Sequence, residues 1–135
     1  MKRVVWMSNH PISADQQEDL RQTFGADCLV FELPQDGKRI WGNIPPDADF
    51  YAIELLFWEA FRTIHTGNLS DMDAMVIMGE LSICLAAAKR CVENGVSLYT
   101  PTTRRESREE VQPDGSVRKT NIFRHVQLRC LHDAD

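Results

Sequence analysis

The residues best suited to chemistry lie in the stretch Leu98-Tyr99-Thr100-Pro101-Thr102-Thr103-Arg104-Arg105-Glu106-Ser107. Two threonines stand directly before two arginines. Arginine offers a planar fork of charged donors, and threonine adds a short hydroxyl, so the pattern suits a phosphoryl group. Adjacent strand residues point to opposite faces. One of Arg104 and Arg105 is therefore expected to face a ligand, and the other to pair with an acid such as Glu106 or Glu109. His10, in Ser8-Asn9-His10-Pro11, is a candidate proton carrier, because an imidazole can exchange a proton with a reacting oxygen. A plain turn residue is the competing reading. Gly79 admits close backbone approach to a ligand or simple packing. Glu80 admits a helix cap, an acceptor for a ribose hydroxyl or an orienter of an arginine. Trp41-Gly42-Asn43 reads equally as a lid, with Trp41 stacked on a base, or as packing.

These residues need a scaffold that gathers them. Val4-Val5-Trp6-Met7 is a continuous apolar run, as expected of a parallel strand buried on both faces. Ser13 caps a helix, with Gln16 completing a capping box, and Leu20 and Phe24 mark its buried face. Cys28 to Phe31 reads as a second strand, and Arg39 to Pro46 as a short helical turn and loop. Asp49 or Asp47 caps a long helix ending near Thr66-Gly67, with Phe50, Ile53, Phe57, Phe61 and Ile64 on one face. Ala74 to Met78 reads as a third strand. The helix after Gly79-Glu80 is expected to bury Leu81, Cys84, Leu85, Ala88 and Val92. Val96 to Tyr99 reads as a fourth strand, and Pro113-Asp114-Gly115-Ser116 as the turn of a β-hairpin over about 104–131. Within that hairpin His125 reads as structural. The alternation implies an α/β fold, Rossmann-like, with a mainly parallel sheet flanked by helices in one domain over 1–135. Ligands of such sheets bind outside the carboxyl ends of the strands. There the loops Ser8–Pro11, Met78–Ser82 and Thr100–Arg105 are expected to meet.

Composition narrows the function. The 135 residues carry a formal net charge of −5, which argues against a general binder of long nucleic acid. The charge is uneven: Pro101 to Leu131 holds seven basic residues against four acids. That local excess suits one compact anion. No apolar run is long enough to span a membrane, and the start lacks a signal-peptide pattern. Cys28, Cys84, Cys91 and Cys130 are scattered, with no C-x-x-C pair, and read as reduced thiols of a cytoplasmic protein. No metal-ligand spacing and no cofactor-binding motif is present, so no metal and no cofactor is expected.

Several of these stretches are similar to the small CRISPR-associated ring nucleases with a CARF-like Rossmann fold. The likeness is carried by Ser8-Asn9-His10-Pro11, Leu33-Pro34, Trp41-Gly42-Asn43-Ile44-Pro45-Pro46, Thr102 to Ser107, Pro113 to Val117 and Phe123-Arg124-His125-Val126. It spans nearly the whole chain, and the tail is its most specific part. The resemblance implies a homodimer that binds a cyclic oligoadenylate, above all cyclic tetra-adenylate, and cuts it without a metal. A ribose 2′-hydroxyl attacks the adjacent phosphorus and leaves a 2′,3′-cyclic phosphate, switching off type III CRISPR signalling. His10, Arg105 and Arg104 take the catalytic roles on this reading. Ser8, Asn9, Gly79, Glu80, Thr102, Thr103, Trp41 and Asn43 bind substrate. Two rivals stand beside it: a protein that holds the ring without cutting it, as a sponge or sensor, and an unrelated metal-dependent α/β nuclease or nucleotide-binding domain.

Overall fold

The computed structural model describes residues 1–135. Strands β1 (Arg3–Met7), β2 (Leu29–Glu32), β3 (Ala74–Ile77), β4 (Ser97–Val111) and β5 (Val117–His132) form one sheet in the order β2-β1-β3-β4-β5. The first four are parallel, and β5 runs antiparallel to β4. Helices α1 (Ala14–Phe24), α2 (Gln35–Trp41), α3 (Phe50–Arg62) and α4 (Leu81–Glu93) flank it. The chain is thus an α/β protein with a mostly parallel sheet and a C-terminal antiparallel hairpin, as its residue pattern predicts.

The central runs Val4–Met7 of β1 and Ala74–Ile77 of β3 are apolar throughout because both faces of the sheet are covered there. Val4, Trp6, Ala74 and Val76 pack with Leu20 of α1 on one face. Val5, Met7, Met75 and Ile77 pack on the other with Trp41, Phe57 and Ile83 from α2, α3 and α4. The predicted caps are in place. Ser13 Oγ accepts the Gln16 N–H at 3.2 Å, and Gln16 Oε1 accepts the Ser13 N–H at 2.9 Å. Asp49 caps α3 by accepting the Ala52 N–H at 2.9 Å.

Several expectations need correcting: α3 ends at Arg62 rather than near Thr66-Gly67, and Phe50, expected on its buried face, is exposed. The helical turn expected after Arg39 is instead α2, which begins at Gln35, because Pro34 at its cap pre-sets the first turn. The buried face of α4 is Ile83, Ala86, Ala87 and Cys91. Leu81, Leu85 and Val92, expected inside, are 71%, 54% and 54% exposed. Both stripes of α4 are apolar, and the small alanines allow the closer approach to the sheet. Finally, β4 does not stop at Tyr99 but continues through Pro101 to Val111. Pro101 falls at a register shift, where a missing N–H breaks no ladder bond. The Thr102 hydroxyl repairs the shift by donating to the Gln127 carbonyl at 2.6 Å and accepting the Gln127 N–H at 3.2 Å.

Candidate functional site

The strand order places a crevice where the chain reverses direction across the sheet. From β1 it moves outward to β2, then returns past β1 to β3. The loops leaving the carboxyl ends of β1 and β3 therefore diverge, and this is where open α/β sheets take ligands. A pocket of about 320 Å³ opens there, lined by Asn9, His10, Trp41, Gly42, Ile44, Met78, Gly79 and Glu80. Two of the three expected loops meet in it, joined by the segment after α2.

Each wall has a local cause. Ser8 is buried, and its Oγ accepts the His10 N–H at 3.1 Å, which shapes the turn that leaves Asn9 and His10 exposed. Trp41 is only 1% exposed and donates its indole N–H to the Met78 carbonyl at 3.0 Å. It clips α2 to the turn after β3 and so forms a packed wall rather than an open stacking platform. Gly79 is required by that clip: a Cβ there would stand 2.6 Å from Trp41 Nε1. Gly42 serves Asn9 in the same way, since a Cβ would meet Asn9 Nδ2 at 1.9 Å. Asn43 turns away from the pocket and donates to the Arg39 carbonyl at 2.7 Å, closing the end of α2.

Glu80 resolves to the capping role. Its carboxylate accepts the Ser82 N–H at 2.8 Å and the Ile83 N–H at 3.4 Å. The hydrogen bond from the Ser82 amide, with further support from Ser82 and Ile83, holds this carboxyl below its usual range despite the opposing cost of desolvation. The amides that an anion would seek at the start of α4 are already taken by an anion of the protein. Cys84, one turn further on, is no nucleophile either. Burial, helped by the Glu80 charge, pushes its thiol up to about 11.

The arginines stand elsewhere. The Thr100 hydroxyl donates to the Ile77 carbonyl at 2.8 Å, so β4 is level there with the end of β3. Beyond it β4 and β5 continue alone as a two-stranded arm on the pocket's end of the sheet. Arg104 and Arg105 lie four and five residues past Thr100, roughly 13–17 Å beyond the rim at about 3.3 Å per residue. Both are exposed. Neither pairs with an acid, contrary to the expectation for one of them. Glu106 is engaged by Arg124 Nε at 2.8 Å, and Glu109 by Lys119 at 3.7 Å. Thr103 is exposed beside them, opposite His125 in the ladder, whereas Thr102 has its proton on Gln127.

His125 is structural, as its place in the hairpin suggests, but its partner escaped the sequence reading. Asp19 of α1 accepts from His125 Nε2 at 2.8 Å, from the Leu128 N–H at 2.7 Å and from the Thr23 hydroxyl at 3.0 Å. Burial opposes ionisation of Asp19, but these hydrogen bonds outweigh it and hold the carboxyl below its ordinary value. The His125 side chain is 5% exposed. This latch fixes the base of the arm to α1, on the face of the sheet opposite α2, α3 and α4. Its sequence signal is faint: an isolated Asp one turn before Thr23, and a His in a strand far along the chain.

The lining holds no cluster of His, Cys, Asp and Glu able to grip a metal ion. No helix is long and apolar enough to cross a membrane. Among known proteins, no solved structure matches the chain. A relative from Methanocaldococcus jannaschii, described as Uncharacterized protein MJ1673, is 23% identical over 129 residues, covering 96% of each chain. The model of the Uncharacterized protein MJ1673 family matches residues 2–129, which takes in both the pocket and the arm. The chain therefore belongs to the Uncharacterized protein MJ1673 family.

Proposed function

We propose that this protein is a ring nuclease of the CARF-like Rossmann type, cytoplasmic, working as a homodimer on cyclic oligoadenylate, with cyclic tetra-adenylate the preferred ring. The observation that carries the reading is the pairing of two features at one end of the sheet. A polar pocket presents an exposed His10 and Asn9, and an arm beside it presents two arginines with no acid of their own. Unpaired guanidinium groups on the same end of the sheet as a nucleotide-sized cleft suit a phosphodiester.

The chemistry asks little beyond positioning. A ribose 2′-oxygen attacks the adjacent phosphorus and loses its proton, the bond to the 5′-oxygen breaks, and that oxygen takes a proton. The product is linear, with a 2′,3′-cyclic phosphate. Nucleophile and target belong to one molecule, so the enzyme chiefly holds them in line. Arg105 and Arg104 supply donors to the crowded phosphorane, where fixed charge matters most. His10 moves the proton at the leaving or attacking oxygen. Asn9 and Gly79 shape the wall against which one nucleotide rests, and Thr103 lies beside the arginines. Thr102, Trp41, Glu80 and Asn43 act as braces, each by the contact described above. Cleavage of this kind ends an alarm signal of type III CRISPR defence.

The test is incubation of labelled rings of three, four and six adenylates with excess protein in a chelator. Linear products carrying a cyclic phosphate support the proposal. A ring bound but intact makes the protein a sponge. A strict need for a divalent metal returns the metal-dependent nuclease.

A further inference from the structure

The arginines and the pocket do not meet within one copy, and the arm cannot fold down to join them. β4 runs without a break in strand pairing from Thr103 to Val111, and its base is held to α1 by the buried Asp19–His125 contact. The arm is also incomplete as it stands. Two strands with no layer beneath them are marginal in water. Phe123 is 67% exposed on it, directly across from Arg105, and Val126 is 49% exposed. The pocket is likewise small. Its volume of about 320 Å³ is at the bottom of the usual range for ligand clefts, room for one nucleotide unit rather than four.

Charge names the occupant. From Pro101 to Leu131 the arm carries seven basic residues against four acids, while the rest of the chain carries eight against sixteen. A basic arm and an acidic body in one sequence complement each other between two copies. We infer that the arm of each copy lies across the body of a second copy, so that Arg105 and Arg104 complete the partner's pocket rather than their own. The catalytic site is then composite, with His10 from one chain and the arginines from the other. This rests on the ring-nuclease reading for its substrate, but the exchange of arms stands on the geometry and charge alone.

The experiment separates the two. His10→Ala and Arg105→Ala copies are co-expressed with different tags, and the heterodimer is purified. If the arm acts across the dimer, one of the two pockets has both groups intact. The heterodimer then cuts cyclic tetra-adenylate at about half the wild-type rate, although each parental homodimer is inactive. If wild-type protein cuts the ring and the heterodimer stays inactive, the arms act within their own chains and the inference is overturned while the function stands. If wild-type protein cuts no ring, sedimentation decides. A dimer that dissociates when Arg104→Glu and Arg105→Glu are combined upholds the exchange of arms. A monomeric wild type, or a dimer indifferent to that change, overturns it.

Discussion

Removing the Asp19 carboxylate is the sharpest test of how the arm is positioned. Asp19→Ala leaves the Leu128 N–H and His125 Nε2 without their acceptor, contacts of 2.7 and 2.8 Å in the wild type. Hydrogen bonds to a charged acceptor contribute about 1.5–3 kcal/mol each. The Asp19 side chain is 19% exposed, so water can reach the abandoned donors and part of the loss is recovered. Discounted for that access, the expected cost is about 2–3 kcal/mol, roughly 10 °C in Tm for a chain of this size. The loss should be uneven. Amides of the arm near His125 and Leu128 should exchange faster, while those of β1 and β3 keep their relative protection. The pH dependence has a definite sign. The folded state depresses the Asp19 pKa, so its contribution is fully present above the ordinary value of 3.8 and is lost as pH falls through the lower folded-state value. Wild type and Asp19→Ala should therefore differ at neutral pH and converge in strong acid. Thermal unfolding followed by circular dichroism, with hydrogen exchange resolved by residue, reads both effects. A Tm within about 2 °C of wild type, with the Leu128 amide equally protected, would refute the latch.

Other outcomes follow from the same structure. Arg105→Ala should lower ring cleavage on the order of 100-fold or more while leaving the fold of each chain intact by circular dichroism, because within its own chain the side chain is exposed and makes no ion pair; unaltered turnover removes Arg105 from the mechanism. Gly79→Ala sets a methyl group 2.6 Å from Trp41 Nε1 and should cost about 1–3 kcal/mol, seen in denaturant unfolding together with a change in Trp41 fluorescence. A stability equal to wild type would mean that the Trp41 clip yields freely. EDTA should leave cleavage unchanged in single-turnover assays, and restoration by added magnesium would contradict the proposed chemistry.

Much of the fold is legible in the residues themselves because its signals are local. The Ser13–Gln16 capping box, the Asp49 cap and the twin apolar runs of β1 and β3 depend on neighbours within a few positions, and each forms as read. The loop pairing of His10 with Gly79 also follows, since ligands of an open α/β sheet bind outside the carboxyl ends of its strands, whereas the strand order that sets the two loops side by side came from the structure. What depended on distant partners was beyond reach. Which stripe of α4 turns inward is decided by how closely Ala86 and Ala87 let it approach the sheet, and periodicity is blind to that when both stripes are apolar. Glu106 pairs with Arg124 across the hairpin rather than with Arg105 or Arg104: alternation turns Arg105 to the opposite face, and although Arg104 shares a face with Glu106, the hairpin register supplies Arg124 as the partner. The sequence by itself determined the layers, the caps and the kinds of group available for chemistry. Only the tertiary structure decided where the arginines stand, because their distance from the pocket is set by the register of a fifteen-residue strand and by one carboxylate of α1 that holds its base.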